Sequence, residues 1–141
     1  MIRVLVIDDS LFMRTIITDM LRKDPEIEVV GVATNGEDGL LKIDELKPDV
    51  ITLDIEMPKM DGIEVLKRKA TMKHQPKTLM LSSLTSQGAL MTKKAMAYGA
   101  DDFMLKPKDL ARIRGISQEL VTKVKNPVSY THLTLPTKRI V

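Results

Sequence analysis

Up to about residue 125 the chain alternates short aliphatic and β-branched runs with longer stretches of helical period. That alternation predicts βαβ units wound around a parallel sheet. The first run, Ile2 to Ile7, is apolar at nearly every position after Arg3, as a central strand covered by helices on both faces must be. Ser10 is placed to cap a first helix whose stripe is Ile16, Ile17, Met20 and Leu21, and Pro25 closes it. Glu28 to Ala33 predicts the second strand. After Asn35-Gly36 a second helix sets Leu40, Leu41, Ile43 and Leu46 on its inner side and ends before Pro48, because the residue preceding proline resists helical dihedrals.

The third strand, Val50 to Leu53, delivers Asp54 at its end. A loop from Ile55 to Gly62 leads to a third helix around Val65 and Leu66. Thr78 to Leu81 predicts the fourth strand, ended by Ser82, and a fourth helix runs from about Ser86 to Tyr98. Gly99 stands where a helix C-terminus takes a left-handed residue. Asp102 to Leu105 is the fifth strand, and an amphipathic helix spans about Leu110 to Val124.

Right-handed crossovers turn this order into a three-layer αβα sandwich around a five-stranded parallel sheet, an α/β fold. All C-terminal strand ends then share one edge, where such sheets bind ligands. That edge collects Asp8 and Asp9, Asp54, Ser82 and Ser83, and Lys106.

Three carboxylates at one edge repel each other, and burying them without a cation would hold at least one protonated. Mg2+ suits the site, since it takes hard oxygen ligands and shares its sphere with phosphate. Asp8-Asp9 alone would read as a solvated or capping pair; with Asp54 and Lys106 on neighbouring strand ends the metal reading prevails. Asp54 can act as a nucleophile toward phosphorus, forming an acyl phosphate. Lys106 supplies a fixed positive charge for the transferred group. The hydroxyl of Ser82 or of its neighbour Ser83 can donate to a phosphoryl oxygen, or simply cap the following helix. A cis bond between Lys106 and Pro107 would turn the lysine inward. Phe103 reads as a core or half-exposed strand residue, and functionally as a rotamer switch that moves inward when the serine is drawn to phosphate.

Composition narrows the classes. The chain has 141 residues, 43% hydrophobic and 29% charged, the size and balance of one folded domain. Cysteine is absent, so disulfides, thiolate metal sites and thiol nucleophiles are excluded. A reducing cytoplasm is the natural setting. No apolar run approaches the roughly 20 residues of a membrane span, and Met1 leads straight into a strand-like segment without the basic and apolar regions of a signal peptide, so neither secretion nor membrane insertion is expected. Lys138 and Arg139, in a segment set apart below, carry two units of the +3 net charge. The remainder is near balance, without the clustered basic face of a nucleic-acid binder, and two Phe, two Tyr and no Trp offer few stacking platforms.

Val4-Leu5-Val6-Ile7-Asp8-Asp9-Ser10, Leu53-Asp54-Ile55-Glu56-Met57-Pro58-Lys59-Met60-Asp61-Gly62 and Lys106-Pro107 together resemble the response-regulator receiver domain, over residues 1–125. The resemblance implies the flavodoxin-like strand order 2-1-3-4-5, which general accounts of this fold already illustrate with a chemotaxis receiver. It implies Asp54 as phospho-acceptor from a histidine kinase, with Asp8, Asp9, Asp54 and the Glu56 backbone carbonyl on Mg2+. Lys106 would pair with the phosphate, Ser82 would be the switch hydroxyl and Phe103 the switch aromatic.

A narrower resemblance is to the receivers of chemotaxis protein-glutamate methylesterases. It rests on Asp8-Asp9-Ser10 with Met13-Arg14, Asp24-Pro25 through Val29-Val30-Gly31, Thr52 to Pro58, Gly99 to Phe103, and above all Met80-Leu81-Ser82-Ser83-Leu84-Thr85. In that family the phosphorylated receiver relieves inhibition of an esterase acting on methylglutamate of chemoreceptors. The esterase is expected to be missing here. Gly115-Ile116-Ser117, the match to its nucleophile turn, falls in the last predicted helix, and His74 and His132 lack triad partners. His74 reads as an exposed loop residue. Residues 127–141 show neither period and resemble translated adapter sequence, so 126–141 are expected to be a non-native or a disordered tail and are set apart from the fold. Two alternatives accompany this reading: a stand-alone chemotaxis-type regulator that docks on a partner through its fourth helix, fifth strand and fifth helix, and a magnesium-dependent aspartyl phosphatase using Asp54 with Glu56. The latter would need a lid, and no insertion is long enough to form one.

Overall fold

A computed structural model describes residues 1–57, 60–83, 85–106 and 113–126. Strands and helices alternate throughout: β1 Ile2–Ile7, α1 Leu11–Arg22, β2 Ile27–Ala33, α2 Gly36–Leu46, β3 Val50–Asp54, α3 Gly62–Lys69, β4 Lys77–Ser82, α4 Ser86–Ala97, β5 Asp102–Leu105 and α5 Ile113–Lys125. The strands form one parallel sheet in the order β2-β1-β3-β4-β5. This is the flavodoxin-like strand order expected from the sequence.

The period-two alternation of each strand divides the core between the two faces. Leu5 and Ile7, with Ile51, Leu53 and Met80, pack against Ile43 of α2, Val65 and Leu66 of α3 and Ala95 of α4. Val4 and Val6, with Val50, Leu79, Leu81 and Met104, pack against Met13, Ile17, Met20 and Leu21 of α1 and Leu120 and Val124 of α5. Both faces being covered, β1 and β3 are apolar almost without interruption.

Local signals set the ends. Ser10 caps α1 by accepting from the Met13 amide at 3.3 Å, and Asn35 caps α2 by accepting from Asp38 at 2.8 Å. Lys47 ends α2 in the left-handed region, immediately before Pro48, and Gly99 follows α4 with φ 105°. β5 has the expected bounds, β2 begins one residue early at Ile27, and Asp54 and Ser82 close β3 and β4 from within. The expected start of the last helix near Leu110 and the Lys106-Pro107 bond lie outside the described residues, as do Pro58, Leu84 and residues 127–141.

Three expectations are corrected. Leu41 is 69% exposed, and the buried face of α2 is Gly36, Gly39 and Ile43, with Leu40 and Leu46 half-buried. Gly39 lies so close to β1 that a Cβ there would stand 2.8 Å from the Ile7 side chain. Leu41, two residues on and about 200° round the helix, must then point outward. Secondly, neither Ser82 nor Ser83 caps α4; Thr85 does, accepting from the Gly88 amide at 2.9 Å. Thirdly, His74 is half-buried, with a ring nitrogen against the Pro48 carbonyl. Gly115 to Ser117 is helical, within α5, as expected.

Candidate functional site

Sheet register builds the site. Ile7 pairs with Leu53 across β1 and β3, so Asp8 and Asp54, the next residues, emerge side by side. Asp54 pairs with Leu81 on β4 and Ser82 with Leu105 on β5, so Ser82 and then Lys106 follow one step above. The Lys106 amide donates to the Ser82 carbonyl at 2.9 Å and fixes where the lysine leaves the sheet.

Asp8 and Asp54 are fully buried, and Asp9 is exposed at the rim. The Lys106 amine lies 2.8 Å from Asp54 Oδ1 and 3.7 Å from Asp8 Oδ2. Backbone amides hold the carboxylates in place: Ser10 donates to Asp8 Oδ1 at 2.9 Å and Glu56 to Asp54 Oδ1 at 3.0 Å. Burial pushes the Asp54 carboxyl up to about 7; Lys106 opposes that rise and the neighbouring Asp8 charge adds to it. Burial likewise raises Asp8. Burial alone would lower Lys106, yet its bond to Asp54 and the surrounding carboxylates outweigh that and leave it raised.

Two buried oxygens, Asp8 Oδ2 and Asp54 Oδ2, have no hydrogen-bond partner among the described residues. An orphaned buried carboxylate oxygen is costly unless something else meets it. Asp8, Asp9 and Asp54 each offer an oxygen, all within 4.8 Å of one another. This donor set fits a hard divalent ion such as Mg2+.

Around the acids lie the other expected residues. Ser82 is buried, whereas Ser83 donates from both its hydroxyl and its amide to the Glu56 carboxylate, so the Glu56 side chain faces the β4–α4 loop. Phe103 is half-buried on the edge strand and borders a cavity of about 470 Å3 shared with Ser82, Thr85, Thr92, Met96 and Leu105.

Three contributors had no role assigned from the sequence. Arg14 donates to the Asp8 carbonyl at 2.7 Å and buttresses the β1–α1 turn, a reach that its place one turn into α1 allows. Gly62 sits where a Cβ would be 2.9 Å from the Asp54 carbonyl oxygen. Lys123, on α5, meets Phe103.

A sequence model described as "Response regulator receiver domain" matches residues 4–118. The chain belongs to this receiver family. The receiver is 60% identical over 134 residues to a protein-glutamate methylesterase/protein-glutamine glutaminase of Methanospirillum hungatei, which covers 95% of this chain and 39% of that protein. It is 51% identical over 125 residues to the corresponding protein of Oceanobacillus iheyensis, covering 87% and 35%. The chain thus spans between a third and two fifths of these relatives. The response regulator domain of Thermotoga maritima CheB superposes with a TM-score of 0.77 at 45% identity, covering 89% of this chain and 95% of that one. A CheX-CheY-BeF3-Mg2+ complex from Borrelia burgdorferi gives 0.69 at 30% identity, covering 84% and 88%. No helix among the described residues is long and apolar enough to cross a membrane.

Proposed function

We propose that this receiver takes a phosphoryl group onto Asp54 from a chemotaxis histidine kinase and thereby regulates a protein-glutamate methylesterase. The observation that carries the reading is the Lys106–Asp54 pair at 2.8 Å within a cluster of three carboxylates, Asp8, Asp9 and Asp54, that leaves two buried oxygens open.

Asp54 attacks phosphorus through a carboxylate oxygen. An O–P bond forms, the N–P bond of the phosphohistidine breaks, and the departing imidazole keeps its bonding pair and takes a proton from solvent. The attack needs Asp54 ionised, and Lys106 favours that form against the burial that opposes it. After transfer the Lys106 amine is free to pair with a phosphoryl oxygen in place of the carboxylate. Asp8, Asp9, Asp54 and the Glu56 carbonyl would hold Mg2+, which when bound neutralises charge on the phosphoryl oxygens. The Ser82 hydroxyl donates to the transferred group, and Phe103 follows it into the adjoining cavity.

Incubation with a small phosphodonor tests this reading. Labelling should require Mg2+ and be lost in Asp54→Asn; labelling of that variant at the wild-type rate would overturn it.

The relatives support this output: their names describe methylesterases, and their remaining length leaves room for such a domain. Chemoreceptor methylglutamates are then the downstream substrate. Residues 126–141 belong, on this reading, to foreign sequence. DNA following codon 126 in the source gene should encode an α/β domain with a Gly-x-Ser turn, and an immediate stop codon would favour a stand-alone regulator.

A further inference from the structure

We propose that Lys123 of α5 is a positioning residue that holds the Phe103 ring at the sheet edge and so sets the balance between its outer and inner rotamers; this rests on the reading of Phe103 as a switch aromatic. β5 borders β4 on one side, and on its other side the Phe103 backbone meets side chains: its amide donates to Asp102 Oδ1 at 2.8 Å, and its carbonyl accepts from the Lys123 amine at 2.7 Å. The same amine stands 5.5 Å from the centre of the Phe103 ring, 3.5 Å from Asp102 Oδ1 and 3.3 Å from Glu119 Oε2. The amine is therefore anchored by two carboxylates and a carbonyl, independently of the ring.

An anchored cation against an aromatic ring favours the rotamer that keeps the ring there. The alternative lies next door. The cavity bordered by Ser82, Thr85, Met96 and Phe103 has room for a phenyl ring and is lined largely by apolar atoms. Moving the ring inward forfeits the contact with Lys123, while the amine keeps its bond to the backbone carbonyl. Lys123 thus weights the equilibrium without blocking it. Because Lys123 belongs to α5, it also ties the state of the ring to that helix.

Fluorine NMR can read this directly. Phe12 and Phe103 are the two phenylalanines of the chain, so 4-fluorophenylalanine gives two signals, and Phe12→Leu assigns them. Without any phosphodonor, Lys123→Met should shift the Phe103 population inward roughly two- to five-fold. Its solvent isotope shift falls, and its resonance moves toward the position reached by the parent with Mg2+ and beryllofluoride. Lys123→Arg, which keeps the cation, should leave both near the parent values. A Phe103 signal in Lys123→Met that coincides with the parent, at unchanged circular dichroism, overturns the proposal. If that variant does not fold, Lys123→Met is measured together with Asp102→Asn, which removes the carboxylate left facing it, and the same two outcomes decide. The two readings fail separately. A parent signal unmoved by beryllofluoride sinks the switch role of Phe103, whereas the isotope shift tests the Lys123 contact in the unphosphorylated protein.

Discussion

The amine of Lys106 lies 2.8 Å from Asp54 Oδ1 and 3.7 Å from Asp8 Oδ2, so a single cation spans the two buried carboxylates of the sheet edge. One positive charge cannot fully offset two buried negative ones. With divalent ions chelated, this edge is consequently a place where charge costs the fold, and that cost can be measured.

Asp54 is raised from 3.8 to about 7 in the folded protein. Between those values the folded state binds the proton more tightly than the unfolded chain does, so this group's contribution is fully present below about pH 4 and is lost as pH rises through about 7. Burial of Asp8 acts in the same direction. Asp54→Asn removes the titration of Asp54. Urea unfolding in the presence of EDTA should show wild type losing about 1–3 kcal/mol relative to that variant between about pH 5 and about pH 8. Parallel pH profiles for the two proteins would contradict the burial argument.

Magnesium should reverse the sign of that penalty. Its ligands must be ionised, so protons compete with the metal at low pH. At about one hundred times its dissociation constant Mg2+ should stabilise the protein by roughly 2.7 kcal/mol near pH 8 and by much less near pH 5. Asp9 is exposed, so Asp9→Asn should alter metal-free stability by about 0.5 kcal/mol or less. The same variant should weaken Mg2+ binding roughly ten-fold or more. Thermal melts with and without the metal check both statements.

Two glycines separate close packing from backbone freedom. A Cβ at Gly62 would meet the Asp54 carbonyl oxygen and the Ile55 Cα at 2.9 Å, both backbone atoms that cannot step aside cheaply. Gly62→Ala should cost about 1–3 kcal/mol and slow phosphoryl labelling by displacing Asp54. Gly115, inside α5, has nothing within 4 Å of such an atom, so Gly115→Ala should stabilise by about 0.5–1 kcal/mol. Denaturant midpoints of the two variants should move in opposite directions.

What could be foreseen follows from how far each signal reaches along the chain. Asp8, Asp54 and Lys106 were legible because each directly ends or follows a strand, and a parallel sheet brings such positions to one edge whatever the loops do. Ser10 as a cap and Gly99 as a left-handed residue were equally local. The inner face of α2 was not: Leu40 and Leu41 both fit a helical stripe, and the close approach of Gly39 to Ile7, which decides between them, is a contact 32 residues apart. Ser82, Ser83 and Thr85 crowd three hydroxyls into four positions, and loop geometry alone selects Thr85 as the cap. Lys123 gave no signal at all, since its partner is the backbone carbonyl of Phe103, 20 residues away.

The most direct test of the central claim is to find the atom that receives phosphorus. After reaction with acetyl phosphate and Mg2+, reduction with borohydride converts an aspartyl phosphate to homoserine, which peptide mass spectrometry can map. Homoserine is expected at position 54 and nowhere else, with none formed when Mg2+ is chelated. Modification at Asp8 or Asp9, or equal yields with and without the metal, would contradict it.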